Sequence, residues 1–256
     1  METIKIKSSL VVMAMDDFTG KAIENQNVRV WIDGERPCVV KQGGYRVFTN
    51  LKEEDFVLKI IGGQYLYQEI LFPREKLLQY AGRVFKIRML PNRCYPIPSD
   101  TTIAEGMGKP HTEYIAYCRE AFSPYKLLYA YEKGMDEISI FHPAHVDIEG
   151  KSLFIGTKDS EEIEFFMVEG KREGEAPAYL LEKPLSKAYK KIGTMIYPSY
   201  RILTDEQGKF YLPVIGTKKE AMKFSFFHPE SGKTQEEVLL AGRINQVMLD
   251  METSRK

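Results

Sequence analysis

The sequence predicts an all-β fold, organised as small antiparallel β-sandwich modules in tandem. Apolar and polar residues alternate along short runs, as at Val28, Val30 and Ile32, which is the period of a half-buried strand. Turn residues interrupt these runs about every ten positions, a spacing typical of sandwiches. The same order of strand-like runs also returns at intervals of about 85 residues, and such a period predicts small modules in series.

The repeat has three copies, each made of three apolar runs. They are VLKI, EILF and VFKIRML from Val57, Glu69 and Val84; ISIFHP, SLFIG and IEFFMVE from Ile138, Ser152 and Ile163; and FSFFHP, EVLLAG and INQVML from Phe224, Glu237 and Ile244. Linkers rich in proline or glycine are expected at 91–98 and 170–177. Together these features predict a first module at 1–92, a degenerate second module at 93–170 and a third module at 171–256.

The first module shows its elements most clearly. The apolar run SLVVMAM from Ser9 is followed by a turn at 16–21, where short acceptor side chains and a glycine favour a change of direction. The next strand is Asn27–Asp33. Only Pro73–Tyr80 has helical character, for a turn or two, because proline is tolerated at the start of a helix.

The closing strands of the first and third modules differ in the charged residues that would keep an exposed strand edge from pairing with another chain. Lys86 and Arg88 are predicted to point outward in the first module. Val247, Met248 and Leu249 leave the third with apolar residues in both directions, and such a strand is usually covered twice, by its own core and by another surface. The pattern makes Met248 a candidate interaction residue.

The composition bears on several classes of protein. Lys plus Arg and Asp plus Glu number 36 each in 256 residues, so the net charge does not favour nucleic acid as a partner. No apolar run approaches the ~20 residues that span a bilayer. Three cysteines without C-x-x-C spacing indicate neither a disulfide framework nor a zinc cage. No secretory signal is visible, so we expect a cytoplasmic protein, while export as part of an assembly stays open.

His142 and His145 are the candidate metal ligands. Two imidazoles, with Asp147 or Glu149 nearby, offer a nitrogen and oxygen shell. His142, however, recurs as His228 in a shared Ser-x-Phe-His-Pro string, which favours a structural residue at a strand end. The prediction is therefore no metal, no cofactor and no catalytic residue, with a metal-dependent enzyme at the two histidines as an alternative.

Motifs for nucleotide binding and for serine hydrolysis are missing from the sequence. No G-x-S-x-G is present, and the nearest approach to a phosphate-binding loop, at Gly108-Lys109, has Pro110 where Ser or Thr is needed. We interpret 106–108 as a flexible turn, since two of its three residues are glycine.

Aromatic residues make up 12% of the chain, and several are predicted to lie outside the core. Trp31 alternates out of phase with Val28 and Val30, which places it on the opposite face of its strand. Tyr125 and Tyr129 belong to the aromatic run YKLLYAY. Outward aromatics form rigid contact surfaces for a protein partner or for a sugar, or they pack between neighbouring modules.

Two motifs carry a resemblance to a known family. The first is D-x-x-T-G-K-A-I at Asp16–Ile23, followed by V-R-V at 28–30 and Tyr45–Leu51, and the second is T-D-x-x-G-x-F-x-L at 204–212. Both resemble the carboxypeptidase regulatory-like domain, a seven-stranded sandwich of the transthyretin-like or immunoglobulin-like type. The first module departs from the family at 41–44, where Asp is usual, and the middle module has neither motif.

The resemblance implies a fold and no catalytic activity, because these motifs specify turns and core positions. Domains of this family act as non-catalytic accessory, spacer or binding modules, and they also occur around phage-tail-like contractile machinery in bacteria. We therefore expect a non-enzymatic structural or adaptor protein in a larger bacterial assembly, with a protein partner or self-assembly. A carbohydrate-binding or adhesive module is the first alternative, and the metal-dependent enzyme is the second.

Overall fold

The chain folds almost entirely into β-strands. The computed structural model describes residues 8–24, 27–35, 37–157, 160–172, 177–214 and 219–249. Strands make up 52% of the structure and its described part has one short α-helix, which confirms the all-β prediction. The chain divides into two compact units, residues 1–96 and 97–256.

The described part of the first unit forms seven strands in two sheets. They are β1 (Ser8–Asp16), β2 (Val28–Ile32), β3 (Val39–Val40), β4 (Tyr45–Thr49), β5 (Phe56–Gly62), β6 (Tyr65–Phe72) and β7 (Val84–Met89), with a 3-10 turn at Gln42–Gly44 and helix α1 (Arg74–Gln79). One sheet has the order β3-β4-β1-β7 and the other β2-β5-β6. All neighbours are antiparallel except β1 and β7, which run parallel.

Sequence periodicity explains the faces of these strands. In β2, Val28, Val30 and Ile32 are buried while Arg29 is exposed, which confirms the predicted alternation. Helix α1 begins directly after Pro73 and is six residues long, as the proline at its start predicted.

Strand β7 differs from its prediction at one residue. Arg88 is only 5% exposed, although it alternates with the buried Ile87. The turn after β1 lies over it, since a Cβ on Gly20 would be 4.0 Å from Nη1 of Arg88. The prediction that Arg88 points outward into solvent is therefore wrong: alternation assigns a side chain to the outer face but cannot show that a loop covers it.

A buried carboxylate fixes the turn after β1. Asp16 is 7% exposed, and its Oδ1 accepts hydrogen bonds from the backbone N–H groups of Phe18 at 2.9 Å and Thr19 at 3.0 Å. Its Oδ2 accepts from the hydroxyls of Tyr65, at 3.0 Å, and Tyr95. Since Tyr95 belongs to the first predicted linker, the start of that segment is held on the first unit.

The two tyrosines give the first unit a dependence on alkaline pH. Burial, and then the Asp16 carboxylate, raise the pKa of Tyr65 and Tyr95 above the ordinary value. A raised pKa contributes stability that is complete below the pKa of the unfolded chain, about 10 for tyrosine, and is lost as the pH rises further. We expect the free energy of unfolding, followed by Trp31 fluorescence in urea, to fall above about pH 10. An equally steep fall in the double variant Tyr65→Phe/Tyr95→Phe would contradict this cause.

The described part of the second unit forms twelve strands. They are β8 (Thr102–Met107), β9 (Glu113–Tyr117), β10 (Lys126–Leu127), β11 (Glu137–Phe141), β12 (Ser152–Thr157), β13 (Ile163–Lys171), β14 (Ala178–Leu181), β15 (Thr194–Leu203), β16 (Lys209–Val214), β17 (Ala221–His228), β18 (Lys233–Leu240) and β19 (Ile244–Met248). A nine-stranded sheet has the order β10-β11-β14-β13-β12-β15-β9-β17-β18, and a three-stranded sheet the order β16-β8-β19.

Part of the second unit repeats the connectivity of the first. The segments β4-β1-β7 and β2-β5-β6 correspond to β16-β8-β19 and β9-β17-β18, and β8 runs parallel to β19 as β1 does to β7. In both units a glutamine on the second strand of a hairpin, β6 or β18, forms a hydrogen bond with the last strand, β7 or β19. Gln68 Nε2 donates to the carbonyl of Arg88, and Gln235 Nε2 donates to that of Met248. Because β9 and β16 correspond to β2 and β4, residues 118–208 between them occupy the place of residues 33–44 in the first unit. They form a long insertion.

The three sequence repeats correspond to this pattern unequally. The runs of the first and third copies lie in β5, β6 and β7 and in β17, β18 and β19, which are equivalent strands. The runs of the middle copy form β11, β12 and β13, but β12 pairs with β13 and not with β11. The structure thus groups these residues differently from the predicted series, and the predicted boundary at 170 falls inside β13.

Two cores lie on one face of the nine-stranded sheet. One includes Ala104, Phe210, Phe224 and Val247, so both sheets of the second unit pack over it. The other belongs to the insertion and is built around residues such as Ile155.

The opposite face of the nine-stranded sheet carries a cluster of five rings: Tyr117, Phe154, Phe165, Tyr197 and Phe227. Phe165 on β13 stacks on Phe227 on β17 with ring centroids 5.1 Å apart, although three strands lie between theirs. In a flat sheet these strands would be about 19 Å apart. The sheet therefore curls strongly, and much of the aromatic content packs internally.

Candidate functional site

The outer face of the sheet β2-β5-β6 is the candidate site, and we call it the Trp31 face. It comprises Arg29, Trp31, Val57, Lys59, Ile61, Tyr67, Glu69 and Leu71. Strand alternation places these side chains opposite the buried Val30, Leu58 and Ile60.

Two rings and a guanidinium lie at its centre. The rings of Trp31 and Tyr67 have centroids 6.2 Å apart and planes 30° apart. The Arg29 guanidinium lies over the Trp31 ring, 5.2 Å from its centroid. Trp31 is half-buried and Tyr67 is 43% exposed, so both present ring surface to solvent.

Most of the polar atoms around the rings are satisfied by one another. Trp31 Nε1 donates to Asp33 Oδ1 at 3.1 Å, and the Tyr67 hydroxyl donates to Glu69. Lys59 Nζ lies 2.5 Å from Asp33 Oδ2 and 3.7 Å from Glu69 Oε1. The hydrogen bond with Asp33 raises the pKa of Lys59 and lowers that of Asp33, so both stay charged near neutral pH.

Aliphatic side chains surround this centre. Val57 lies opposite Leu71 in the β5–β6 register, and Ile61 lies opposite Arg29 in the β2–β5 register. Their exposed fractions are 36% for Val57, 67% for Leu71 and 43% for Ile61. The Lys59–Glu69 pair lies between Val57 and Leu71 on one side and the two rings on the other, so the face has two apolar patches with a charged pair between them.

An acidic groove adjoins the face. Its volume is about 350 Å³, and its lining includes Asp33, Glu35, Glu54 and Asp55 with a single lysine, Lys52. The groove and the Trp31 face share Val57, and Asp33 of the groove binds Trp31 and Lys59 of the face. A partner that covers both would experience a negative potential beside an apolar surface.

The other predicted interaction residues have different environments. Tyr125 is buried, at 6% exposed, in the core of the insertion, so the expectation that it points outward does not hold. Tyr129, four residues later, is 61% exposed. Val247 and Leu249 are buried in the core that both sheets of the second unit share, while Met248 is 62% exposed, beside its register partner Met107.

The predicted histidine pair has little in common with a metal site. Both ring nitrogens of His142 are engaged, Nδ1 with the carbonyl of Pro143 at 3.0 Å and Nε2 with the hydroxyl of Tyr179 at 2.5 Å. His145 is exposed. Within the described residues, no group of three or more His, Cys, Asp or Glu is arranged to hold a metal ion.

Tyr67, Lys59 and Leu71 belong to the Trp31 face but were not among the predicted site residues. Strand β6 alternates as β2 does, yet its buried face includes Gln68. A buried glutamine weakens the apolar alternation that would have identified the outward residues. The spacing of Tyr67, Glu69 and Leu71 at every second position was the available signal.

Comparison with known proteins adds no functional assignment. No family model matches the chain, and a search of curated proteins finds no match. No helix in the described ranges is long and apolar enough to cross a membrane.

Proposed function

We propose that this chain is a non-enzymatic structural or adaptor protein, made of sandwich modules of the transthyretin-like type, that docks a protein partner on the Trp31 face. It serves as a spacer within a larger bacterial assembly, and a phage-tail-like machine is the kind of assembly that the family resemblance favours. The observation that carries the proposal is the Trp31 face itself.

The chemistry of this face favours a protein over a sugar. Exposed Trp, Tyr and Arg side chains are enriched at the centres of protein interfaces. Since Lys59 already binds both Asp33 and Glu69, a partner can cover this group at the cost of one excess negative charge, which a basic side chain of the partner would neutralise. Val57 and Leu71 extend the surface beyond what a ring-stacked sugar would contact. The acidic groove favours a partner that brings a basic side chain to its rim.

Site-specific crosslinking tests the proposal. A photo-crosslinking residue in place of Tyr67, in cells that make the protein, is expected to give one discrete protein adduct. The same residue in place of Tyr129, an exposed aromatic outside the face, serves as the control. Adducts of equal yield at both positions would argue against a dedicated surface.

Affinity with the purified partner then measures the contribution of the ring. We expect Trp31→Ala to weaken binding about 30-fold or more, because a central aromatic typically contributes 2 kcal/mol or more. Tyr129→Ala should leave the affinity unchanged. Binding of a glycan that Trp31→Ala abolishes, without any protein adduct at Tyr67, would replace the protein partner with a carbohydrate.

A further inference from the structure

The first and last strands lie side by side and run parallel in each unit. Val11–Asp16 of β1 pairs with Val84–Met89 of β7, and Ile103–Met107 of β8 pairs with Ile244–Met248 of β19. We call these the terminal pairs. Among the described strands, β7 and β19 are edge strands, and each pairs there with one neighbour in its sheet.

Parallel pairing decides how a pull on the chain ends would act. The chain enters a unit at the start of its first strand and leaves at the end of its last strand. In a parallel pair these two points lie at opposite ends of the ladder. Tension therefore slides the strands along each other and strains all of the hydrogen bonds together, whereas a pull from one shared end would open them one at a time.

We propose that this chain bears tension along its length, with the two terminal pairs as its mechanical clamps. The proposal deepens the spacer role proposed above and rests on it. Two units with the same clamp in one chain make a series in which each link resists the same force.

Packing around the terminal pairs supports this role. Val12 and Ala14 of β1 are fully buried, which keeps water from competing for the hydrogen bonds of the ladder. The Tyr95 hydroxyl binds Asp16 just beyond the end of the first pair, so the chain leaving β7 is tied again to β1. Gln68 and Gln235 each bind the carbonyl of a residue on the last strand.

The insertion lies outside the path of the force in the second unit. Residues 118–208 fall between β8 and β19 in sequence, so the β8–β19 pair closes a loop around them. Tension reaches the insertion only after that pair has broken. The insertion therefore stays folded while the chain is under tension, and its exposed residues can still contact other molecules.

Single-molecule stretching of the full chain by its two ends tests the proposal. We expect two main unfolding events, which release about 280 Å for some 80 residues of the first unit and about 510 Å for some 145 residues of the second. Opening of the insertion cannot lengthen the chain while the β8–β19 pair holds, so a longer event that divides into two would show the insertion outlasting the pair and would support the shielding. Gradual lengthening of the second unit at low force, without such an event, would overturn it.

The direction of the pull provides the matched control. A handle at the exposed Arg83, just before β7, pairs with the chain start to load the first terminal pair from one end. We expect the rupture force of the first unit to fall to about half or less of the end-to-end value, because the bonds then break in sequence. Equal rupture forces for the end-to-end pull and for the pull between the chain start and Arg83 would contradict the proposal.

A variant separates the two clamps. Gly106→Ala, which places a Cβ against the carbonyl of Val247, should lower the force of the longer event or abolish it, and leave the shorter event unchanged. A longer event of unchanged force would count against the β8–β19 clamp. No partner is present in these measurements, so their failure would leave the docking function of the Trp31 face untouched.

Discussion

Gly106→Ala is expected to destabilise the second unit by about 3 kcal/mol or more. Gly106 lies in β8, where a Cβ would be 1.7 Å from the carbonyl oxygen of Val247 and 2.7 Å from its carbonyl carbon. No rotamer relieves a backbone contact of this kind, so the strands β8 and β19 must separate. Calorimetric unfolding measures the loss, while Trp31 fluorescence follows the first unit as an internal reference.

Gly170→Ala is the matched control in the same unit. The nearest atom to its added Cβ is a carboxylate oxygen of Glu149 at 3.9 Å, which is an ordinary contact. We expect a change within about 1 kcal/mol there. Similar losses for the two substitutions would show that the close approach of Gly106 to Val247 is not what limits stability.

Asp16→Ala is expected to destabilise the first unit by about 3–5 kcal/mol, because it leaves buried donors without their acceptor. Two backbone N–H groups and the hydroxyls of Tyr65 and Tyr95 all donate to this carboxylate. Urea unfolding followed by Trp31 fluorescence measures the effect, since Trp31 is the single tryptophan of the chain.

Two further variants assign the cause. Asp16→Asn keeps an oxygen for the backbone donors but turns an amide donor toward the tyrosines, so an intermediate loss is expected. Glu24→Ala, at an exposed position, should change little. If Asp16→Ala proved as mild as Glu24→Ala, the carboxylate would not be the centre of this turn.

Much of the first unit could be predicted from the sequence because its determinants are local. Alternation in β2 identified the buried face, and the turn residues after Asp16 identified the end of β1. The burial of Arg88 and of Tyr95 could not be predicted, since both depend on which loop folds over which strand.

The architecture of the second unit escaped prediction for a related reason. His142 and His228 occur in the same short string, and each lies beside a tyrosine ring, Tyr179 and Tyr114 respectively. Similar local sequence thus gives similar local packing. The pairing of strands, however, depends on contacts across more than a hundred residues, such as β8 with β16 and β19. The prediction of a turn at Gly106 was wrong for a different reason. Gly106 lies within strand β8, where glycine is required because the backbone of Val247 passes close to it.

The candidate site was partly predictable. Trp31 could be placed on the outer face because it alternates with Val28 and Val30, and this alternation is visible within a single strand. Tyr67 and Leu71 did not, because Gln68 on the buried face of β6 interrupts the apolar pattern. Tyr125 was misplaced because the aromatic run YKLLYAY does not show which of its rings enters the insertion core.

The insertion also sets an order of events during synthesis. Strand β8 leaves the ribosome about 100 residues before β16 and about 140 before β19, and at 5–20 residues per second the first of these intervals lasts roughly 5–20 s. The apolar Ile103 and Ala104 stay without their partners for that time. The contacts of the insertion are closer in sequence, and local contacts form first. The nascent chain therefore carries a folded middle beside an unpaired strand, and a chaperone that shields β8 has this interval in which to act.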